Sequence, residues 1–224
     1  MDGQDMAGPG GLSGGWQDLF LKANDILGRA GFQDRWSFGG GTALMLQIGH
    51  RESHDIDVFL PDPQLLAYLD PGKGNIGLVQ GLAAYHGDGV RFLKLSFGAA
   101  GEIDFIACPD LTSTPNRKLE VLGLSTRVET IGEILAKKVY FRGASLLPRD
   151  MFDIAAAWRA DRRQVLLALR SFPDEVRRAE RAVLSASPEF LHGVFADLAV
   201  KPAFEDMRPA AVDLCLEALR AAAQ

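Results

Sequence analysis

This sequence of 224 residues is poor in cysteine and lacks both long apolar runs and an excess of basic residues. Cys108 and Cys215 are too few for a disulfide framework, so we expect a reducing compartment and two cysteines that act as apolar fillers. No stretch is long and apolar enough to span a membrane, and the first residues show no basic segment followed by an apolar one. These absences predict a cytoplasmic protein that is not exported and does not bind a membrane.

The formal net charge of −5 argues against a protein that coats nucleic acid non-specifically. The net charge does not exclude a local basic cleft. With 47% hydrophobic and 24% charged residues, the composition is that of an ordinary globular protein. The length allows one large domain or two small ones, each able to bury a core.

The hydrophobic patterns divide the chain into three parts. Residues 1–15 are rich in glycine and show no periodicity, so we predict a disordered tail. Residues 16–128 alternate between helical and strand patterns, which predicts an α/β domain, and residues 129–224 show helical patterns almost throughout. The elements expected in the α/β domain are helices over 16–31, 64–70 and 76–86, strands over 36–38 and 55–60, a hairpin over 90–107 and a strand over 121–128.

The chain is organised around residues 38–60, which predict a glycine turn, a short helix and a strand. Glycines 39–41 let the backbone approach a ligand closely, and Thr42 suits the first turn of the apolar helix that follows. A helix start of this kind presents unpaired N–H groups and a positive dipole end, so it is a site for an anion such as a phosphate.

Two aspartates follow on the next strand. In the alternating run 55–60, Asp55 and Asp57 share one face with Phe59, while the aliphatic residues face a core. Adjacent carboxylates repel each other, so they need a cation or full exposure to water. Because Mg²⁺ uses one or two carboxylates together with substrate phosphates, the turn and the strand predict one site.

A third carboxylate is expected in the hairpin. Asp104 lies mid-strand between apolar residues, where an unpaired carboxylate would be costly, and Glu102, nearer the turn, is expected to be solvated. We interpret Asp104 as a further metal ligand and a candidate general base. The alternative is an exposed sheet face, since antiparallel sheets often leave one face wet.

A second group of charged residues lies where the helical patterns begin. Lys138 and Arg142 fall on the apolar stripe of a helix that begins after Thr130, whereas Lys137 does not, and two cations one turn apart indicate a polar cleft. Asp150 and Asp153 share a face of the next helix. Aspartate at a helix start also caps the backbone, and that reading stays open.

Several other polar residues carry weaker signals. Seven arginines of the helical part could contact an RNA backbone, but no aromatic side chains interleave with them, which favours solvated faces with partners on the same helix; they are Arg159, Arg162, Arg163, Arg170, Arg177, Arg178 and Arg181. His50 and His54 have no partner at ligand spacing, so we expect loop residues rather than zinc ligands.

Two blocks of the sequence resemble the AbiEii/AbiGii toxin family, a branch of the polymerase-β-like nucleotidyltransferases. The first is Gly-Gly-Thr-Ala-Leu at 40–44 followed by Arg51-x-Ser53-x-Asp55-Ile-Asp57. The second is Lys138 and Arg142 followed by Arg149-Asp150-x-x-Asp153. The resemblance covers residues 36–158 and rests on these blocks.

The resemblance implies an α/β (α+β) fold, in which a mixed sheet with flanking helices carries the site and a C-terminal helical half closes the cleft. It implies transfer of a nucleoside monophosphate from an NTP to an acceptor hydroxyl of RNA, tRNA or protein. The cofactor would be Mg²⁺ or Mn²⁺ on Asp55, Asp57 and Asp104. The implied nucleotide-binding residues are Gly40, Gly41, Thr42, Arg51, Ser53, Lys138, Arg142 and Asp150.

The biological role implied by the resemblance is that of the toxin of an abortive-infection toxin–antitoxin pair, with a separate antitoxin as partner. The alternative is a non-catalytic module that binds a nucleotide or a partner through the same cleft. The presence of all three aspartates together with Lys138 argues against that alternative, because mutually repelling carboxylates would have little use in it.

Overall fold

The computed structural model describes residues 15–224, so the predicted disordered tail lies outside the described residues except for Gly15. The chain forms two compact units. Of the described residues, the sheet unit comprises those up to Ala43 together with Ser53–Asp110 and Asn116–Glu129. The helical unit comprises Leu44–Glu52, Leu111–Pro115 and Thr130–Gln224.

Within residues 15–224, the sheet unit contains seven strands and a few helices. The elements in chain order are helix α1 (Trp16–Arg29), strand β1 (Ser37–Gly39), helix α2 (Gly40–Ile48), β2 (Ile56–Leu60), α3 (Leu66–Leu69), β3 (Ala84–Gly87), β4 (Phe92–Ser96), β5 (Glu102–Ala107), β6 (Asn116–Val121) and β7 (Leu124–Glu129). The division between the units falls within α2, after Ala43.

The seven strands form one mixed sheet in the order β3-β4-β5-β2-β1-β7-β6. β2 pairs in parallel with β5, and β1 with β7, whereas the remaining neighbours are antiparallel. Helices α1 and α3 pack against β5, and α1 also packs against β2. The fold is therefore the mixed α/β architecture that the sequence predicts.

Strand β2 shows the predicted alternation. Ile56, Val58 and Leu60 are fully buried, whereas Asp57 and Phe59 on the other face are half-buried. β5 repeats this pattern, because Ile103 and Phe105 are fully buried. The two central parallel strands thus direct their aliphatic side chains into a core shared with α1 and leave their acidic residues on the opposite face.

One of the predicted elements was wrong, and another begins later than expected. The helix expected over residues 76–86 is a loop followed by strand β3, because Gly77 and Gly81 adopt positive φ angles of 65° and 80°, which no right-handed helix accommodates. The single strand expected over 121–128 is the second half of a hairpin. Leu122 and Gly123 form its tight turn with φ angles of 52° and 76°.

The helical unit is built around α5. Its elements are α4 (Ile131–Arg142), α5 (Pro148–Ala160), α6 (Arg162–Leu169), α7 (Pro173–Ser185), α8 (Pro188–Asp197), a 3₁₀ segment (Pro202–Ala210) and α9 (Ala211–Ala222). All residues of α5 from Asp150 to Trp158 are buried, and the helix packs against α4, α6, α8 and α9. Thr130 caps α4 by accepting the N–H of Glu133 at 3.2 Å.

The segment 49–52, which follows α2, joins the helical unit through backbone hydrogen bonds. Arg51 forms an antiparallel bridge with Val200, Glu52 N donates to Ala199 O at 2.8 Å, and Lys201 N donates to His50 O at 3.0 Å. Gly49 permits the turn into this segment with its φ of 63°. Over residues 15–224, no helix has the length and apolar character that crossing a bilayer requires.

Candidate functional site

The glycine turn leads directly from strand β1 into helix α2. Gly40 adopts a φ of 68°, and a Cβ atom at this position would lie 1.8 Å from Asp57 Oδ2. A Cβ at Gly39 would lie 2.3 Å from Glu129 Oε2, a carboxylate that accepts a hydrogen bond from Ser37. Only glycine fits at both positions, and at Gly40 it brings the backbone of the helix start against an aspartate.

Thr42 joins the start of α2 to the segment that carries the aspartates. Its hydroxyl donates to the Asp55 carbonyl oxygen at 2.6 Å and lies 3.0 Å from Ser53 Oγ. The Thr42 side chain is fully buried and Ser53 is half-buried. The two predicted phosphate-binding hydroxyls are therefore in contact, and that of Thr42 fixes the local backbone.

The three predicted metal-ligating aspartates lie on or next to adjacent strands of the sheet unit. Asp57 on β2 and Asp104 on β5 are direct neighbours in the parallel register. Asp55 precedes β2, and its Oδ1 accepts the backbone N–H of Glu102 at 3.0 Å. Asp57 and Asp104 thus form the closest pair in register, and Asp55 is held by the first residue of β5.

Lys94 supplies a cation to this group that we did not predict. It lies opposite Asp104 in the antiparallel pairing of β4 with β5, and its Nζ is 3.2 Å from Asp104 Oδ2. The same ammonium forms an ion pair with Glu102. Glu102, expected to be solvated, is instead half-buried and paired.

The environment shifts the pKa values of both partners. Burial raises the pKa of the Asp104 carboxyl, and the neighbouring carboxylates Glu102 and Asp55 add to that rise, while Lys94 opposes it. For Lys94, burial lowers the pKa, but the ion pairs with Glu102 and Asp104 outweigh it and the net pKa is raised. Asp104 therefore holds a proton more readily than an ordinary aspartate, as a general base requires.

The donor set has the chemistry that a divalent cation needs. Its groups are carboxylate oxygens, and two of them, on Asp57 and Asp104, lie side by side. Among residues 15–224, no three His, Cys, Asp or Glu side chains are grouped closely enough to hold a metal ion. Since Mg²⁺ commonly takes one or two carboxylates plus substrate phosphates, Asp57 and Asp104 fit that mode of binding without a cage made of protein alone.

The second group of predicted residues lies in the helical unit, where it forms a buried ionic network. Asp153 accepts hydrogen bonds from Arg51 Nε at 2.7 Å and Nη2 at 2.9 Å, and lies 2.7 Å from His50 Nε2. Lys138 Nζ is 3.0 Å from Asp153 Oδ2. His50 and Asp153 have no solvent exposure, so His50 is a buried hydrogen-bonding residue of the loop.

Lys138 bridges the two aspartates of α5. It forms an ion pair with Asp150 as well as Asp153, and Arg142 Nη1 lies 3.7 Å from Asp150. Burial lowers the pKa of Lys138, but the two carboxylates outweigh it and raise that pKa. Burial likewise raises the pKa of Asp153, but Lys138 and Arg51 hold it well below the usual range.

Asp150 also serves the helix start. One carboxylate oxygen accepts the Leu147 backbone N–H at 3.4 Å, so the capping interpretation and the ion-pair interpretation hold together. Lys137, expected off the buried stripe of α4, is buried as well, with its Nζ 3.3 Å from Glu133 Oε1. Glu133 further accepts the backbone N–H groups of Leu111 and Thr112 at 2.9 Å.

Four of the seven arginines have ion-pair partners. Arg177 and Arg178 pair with residues three positions earlier, whereas Arg159 and Arg162 pair with Asp206 and Glu217. In the part of the chain that the structure describes, no ion pair involves Arg163, Arg170 or Arg181. All seven arginines are exposed, as solvated faces require, but only Arg177 and Arg178 have the expected partner on the same helix.

The structure distributes the predicted site residues over both units. Gly40, Gly41, Thr42, Ser53, Asp55, Asp57 and Asp104 belong to the sheet unit, and Arg51, Lys138, Arg142, Asp150 and Asp153 belong to the helical unit. The residues missed were Lys94 and His50. Lys94 was accessible to prediction, because the hairpin turn at 98–101 sets the register that places it opposite Asp104.

Comparison with known proteins identifies the family. The profile described as "Nucleotidyl transferase AbiEii toxin, Type IV TA system" matches residues 24–222. The chain belongs to this AbiEii family. It is thereby a nucleotidyltransferase-family toxin of a type IV toxin–antitoxin system, for which the family implies an antitoxin partner. No curated protein sequence matches the chain.

Two crystal structures share the fold of this AbiEii protein. One is described as "putative nucleotidyltransferase from H. pylori", with 16% identity, a TM-score of 0.53 and coverage of 95% of this chain and 96% of that chain. The other is JHP933 from Helicobacter pylori, with 15% identity, a TM-score of 0.50 and coverage of 92% and 90%. At such identities the likeness shows the fold alone.

Proposed function

We propose that this AbiEii protein transfers a nucleoside monophosphate from an NTP to an acceptor hydroxyl and releases pyrophosphate. The observation that carries the proposal is the side-by-side position of Asp57 and Asp104 on parallel strands, with the Gly40 backbone packed against Asp57. Two carboxylates next to a helix start offer both a place for a divalent cation and donors for phosphate oxygens.

In this proposal the acceptor oxygen attacks the α-phosphorus, and the bond from that phosphorus to the bridging oxygen of the β-phosphate breaks. Asp104 takes the proton of the hydroxyl, to which its raised pKa suits it. Mg²⁺ or Mn²⁺ on Asp57 and Asp104 would offset charge on the attacking and leaving oxygens. Asp55, predicted as a third ligand, forms no three-carboxylate group with them among residues 15–224, and its Oδ1 accepts the Glu102 N–H. The family resemblance implies that Lys138 of the helical unit offsets charge on the leaving pyrophosphate, and this role stays a prediction.

The NTP phosphates are assigned to the start of α2. The backbone N–H groups of Gly40, Gly41 and Thr42 belong to the first turn of a helix, where no intrahelical acceptor exists. The Ser53 hydroxyl is hydrogen-bonded to the Thr42 hydroxyl and thereby supports this turn. The remaining predicted nucleotide-binding residues belong to the helical unit, and their role stays a prediction; they are Arg51, Lys138, Arg142 and Asp150.

An exposed surface of the helical unit favours RNA over protein as the acceptor. Tyr140 lies edge-on to Phe141 with ring centroids 4.9 Å apart and to Phe172 at 5.4 Å, and Tyr140 and Phe141 are about half exposed. Arg142 and Arg170 are close in sequence to these rings and exposed. Aromatic rings stack on bases and arginines contact phosphates, so this exposed group supports RNA as the acceptor.

The alternative function is a module that binds a nucleotide or a partner without catalysis. Lys94 favours it in one respect, because it shows that the carboxylates can be compensated without a metal. Melting curves separate the two functions. Mn²⁺ with NTP should raise the melting temperature of the wild type but not that of the Asp55→Ala/Asp57→Ala variant, whereas equal shifts in both would remove the metal site from the proposal.

The most direct test of the proposal traces a radioactive label from the NTP donor to the acceptor. Purified protein is incubated with each α-³²P-labelled NTP, Mg²⁺ and either total cellular RNA or protein lysate. The Asp57→Ala variant should label at least about 100-fold less than the wild type, because it loses a proposed metal ligand. Asp62→Ala is the matched control, since Asp62 only caps a short turn by accepting the Gln64 N–H. Equal labelling by wild type and Asp57→Ala would contradict the proposal.

A further inference from the structure

The carboxylates of the sheet unit already have a cation of their own. Lys94 Nζ contacts Asp104 at 3.2 Å and also pairs with Glu102, and all three side chains lie on the neighbouring strands β4 and β5. An ammonium ion at this place offsets the repulsion that Asp104 experiences from Glu102 and Asp55. The Lys94 ammonium therefore lies where a divalent cation bound to Asp104 would place its positive charge.

Glu102 offers Lys94 a second position. It lies opposite Ser96, two residues along the same ladder, so the ammonium reaches both carboxylates from one strand position. The Lys94 and Glu102 side chains are each 36% exposed, against 22% for Asp104. A four-carbon stem at a half-exposed site is flexible enough to give up one partner and keep the other.

We propose that Lys94 is a built-in counter-ion that competes with the divalent cation for Asp104, and that Glu102 holds Lys94 once Asp104 is released to the metal. The inference rests on the proposed function in taking Asp57 and Asp104 as ligands of the cation. Its consequence is that metal binding is an exchange of one cation for another, so the affinity for metal is set by Lys94 as well as by the ligands.

The test measures Mn²⁺ binding by the full chain without nucleotide, using electron paramagnetic resonance of the unbound ion. Lys94→Met keeps the length of the side chain and removes its charge, so it should bind Mn²⁺ about five- to tenfold more tightly than the wild type, the lower range of coupling between competing ligands. Lys94→Arg retains a cation and should not bind Mn²⁺ more tightly.

Lys22→Met is the control for a general change in charge. Lys22 belongs to the sheet unit, and its contacts within residues 15–224 are the Gln80 carbonyl and the Phe97 ring. This variant should bind Mn²⁺ within about twofold of the wild type, as expected for a charge that shares no partner with the site.

A double-mutant cycle distinguishes exchange from simple electrostatics. Glu102→Gln removes the second position of Lys94, so Lys94 stays on Asp104 and Mn²⁺ should bind several-fold more weakly. In the Lys94→Met background the same change should have little effect, because Glu102 then has no lysine to hold. If the effects of Glu102→Gln and Lys94→Met on Mn²⁺ affinity simply add, the role assigned to Glu102 is overturned.

A melting measurement covers variants that fold poorly. In the presence of EDTA, Lys94→Met should melt below the wild type, since its carboxylates lack a cation, and added Mn²⁺ should raise its melting temperature more than that of the wild type. An equal or smaller rise would overturn the exchange.

The Mn²⁺-binding measurements distinguish failure of the Lys94 exchange from failure of the proposed function. Mn²⁺ binding by the wild type that needs Asp57 but is unchanged in Lys94→Met overturns only the inference. Absence of Asp57-dependent binding in both proteins overturns the metal site itself, and the inference with it.

Discussion

The two charged regions of the molecule compensate their aspartates in different ways. In the sheet unit, Asp104 is 22% exposed and meets one lysine on a neighbouring strand. In the helical unit, Asp153 has no exposure and contacts Arg51, His50 and Lys138 together. A partly exposed carboxylate with one cationic partner can exchange that partner, whereas a buried carboxylate with three partners is strongly destabilised by losing one. The first arrangement suits a site that binds ions, and the second suits a rigid support for Lys138.

The largest effect is expected from breaking the buried network. Asp153→Ala removes the buried carboxylate that Arg51 contacts through two nitrogens and leaves Lys138 with Asp150 alone, so the free energy of unfolding should fall by about 3–5 kcal/mol. Urea unfolding followed by circular dichroism measures this loss. A fall below about 1 kcal/mol, the size expected of an exposed pair, would show that the two regions do not differ as described.

The second largest effect on stability is expected when acid protonates the buried network. The folded-state pKa of Asp153 is held well below the usual range, so the carboxylate stabilises the fold above the pKa of the unfolded chain and loses this effect as the pH falls through the folded pKa. The groups that face it are the cations of Arg51 and Lys138 and the imidazole of His50. Below pH 4, the melting temperature of the wild type should fall more steeply than that of Asp153→Asn. Parallel curves would contradict the assignment.

A smaller effect is expected at the glycine turn, where two glycines with similar backbone angles serve as a matched pair. Gly40 and Gly49 have φ angles of 68° and 63°, but a Cβ at Gly40 would meet Asp57 while Gly49 has open space around it. Gly49→Ala should cost about 1 kcal/mol, the backbone penalty alone. Gly40→Ala should cost more, about 2–3 kcal/mol, since steric overlap is added.

The readouts for this pair are thermal melting and label transfer. Both variants should melt below the wild type, and Gly40→Ala should in addition lose labelling because the clash displaces Asp57. Equal losses of stability, with labelling retained by Gly40→Ala, would contradict the close approach of the turn to that aspartate.

The smallest effect is expected on the exposed arginines. Arg177 pairs with Asp174 at 2.5 Å on the surface of α7, and Arg177→Ala should change the free energy of unfolding by less than about 1 kcal/mol. Arg170→Ala should likewise leave stability unchanged but weaken binding of single-stranded RNA in a fluorescence anisotropy titration. Equal weakening by both variants would remove the special role of the aromatic surface.

Much of the structure of the sheet unit was predictable from the sequence, but little of the charged network in the helical unit was. Alternation in residues 55–60 and 102–107 is a local signal, and it correctly placed Ile56, Val58, Ile103 and Phe105 in the core. The AbiEii family and the mixed α/β fold are confirmed by the comparisons and the structure. The roles assigned to Asp55, Asp57, Asp104 and Lys138 stay predictions.

The network around Asp153 was not predictable because its members are far apart in the chain. His50 and Arg51 lie about 100 positions before Asp153, and no period or spacing connects them. Helical periodicity placed Lys138 on the buried face but not Lys137, since the partner of Lys137 is Glu133 on the same helix. The false helix over 76–86 shows the opposite error, in which apolar spacing outweighed the two glycines that break it.

The central claim is that the carboxylates of the sheet unit direct transfer of the nucleoside monophosphate itself. The most direct measurement uses one NTP labelled in parallel at the α- and the γ-phosphate, with wild type, Asp57→Asn and Asp104→Asn. We predict that α-label enters the acceptor, that γ-label appears in pyrophosphate in equal amount, and that both asparagine variants lose both signals. Entry of γ-label into the acceptor, or undiminished transfer by either variant, would contradict the claim.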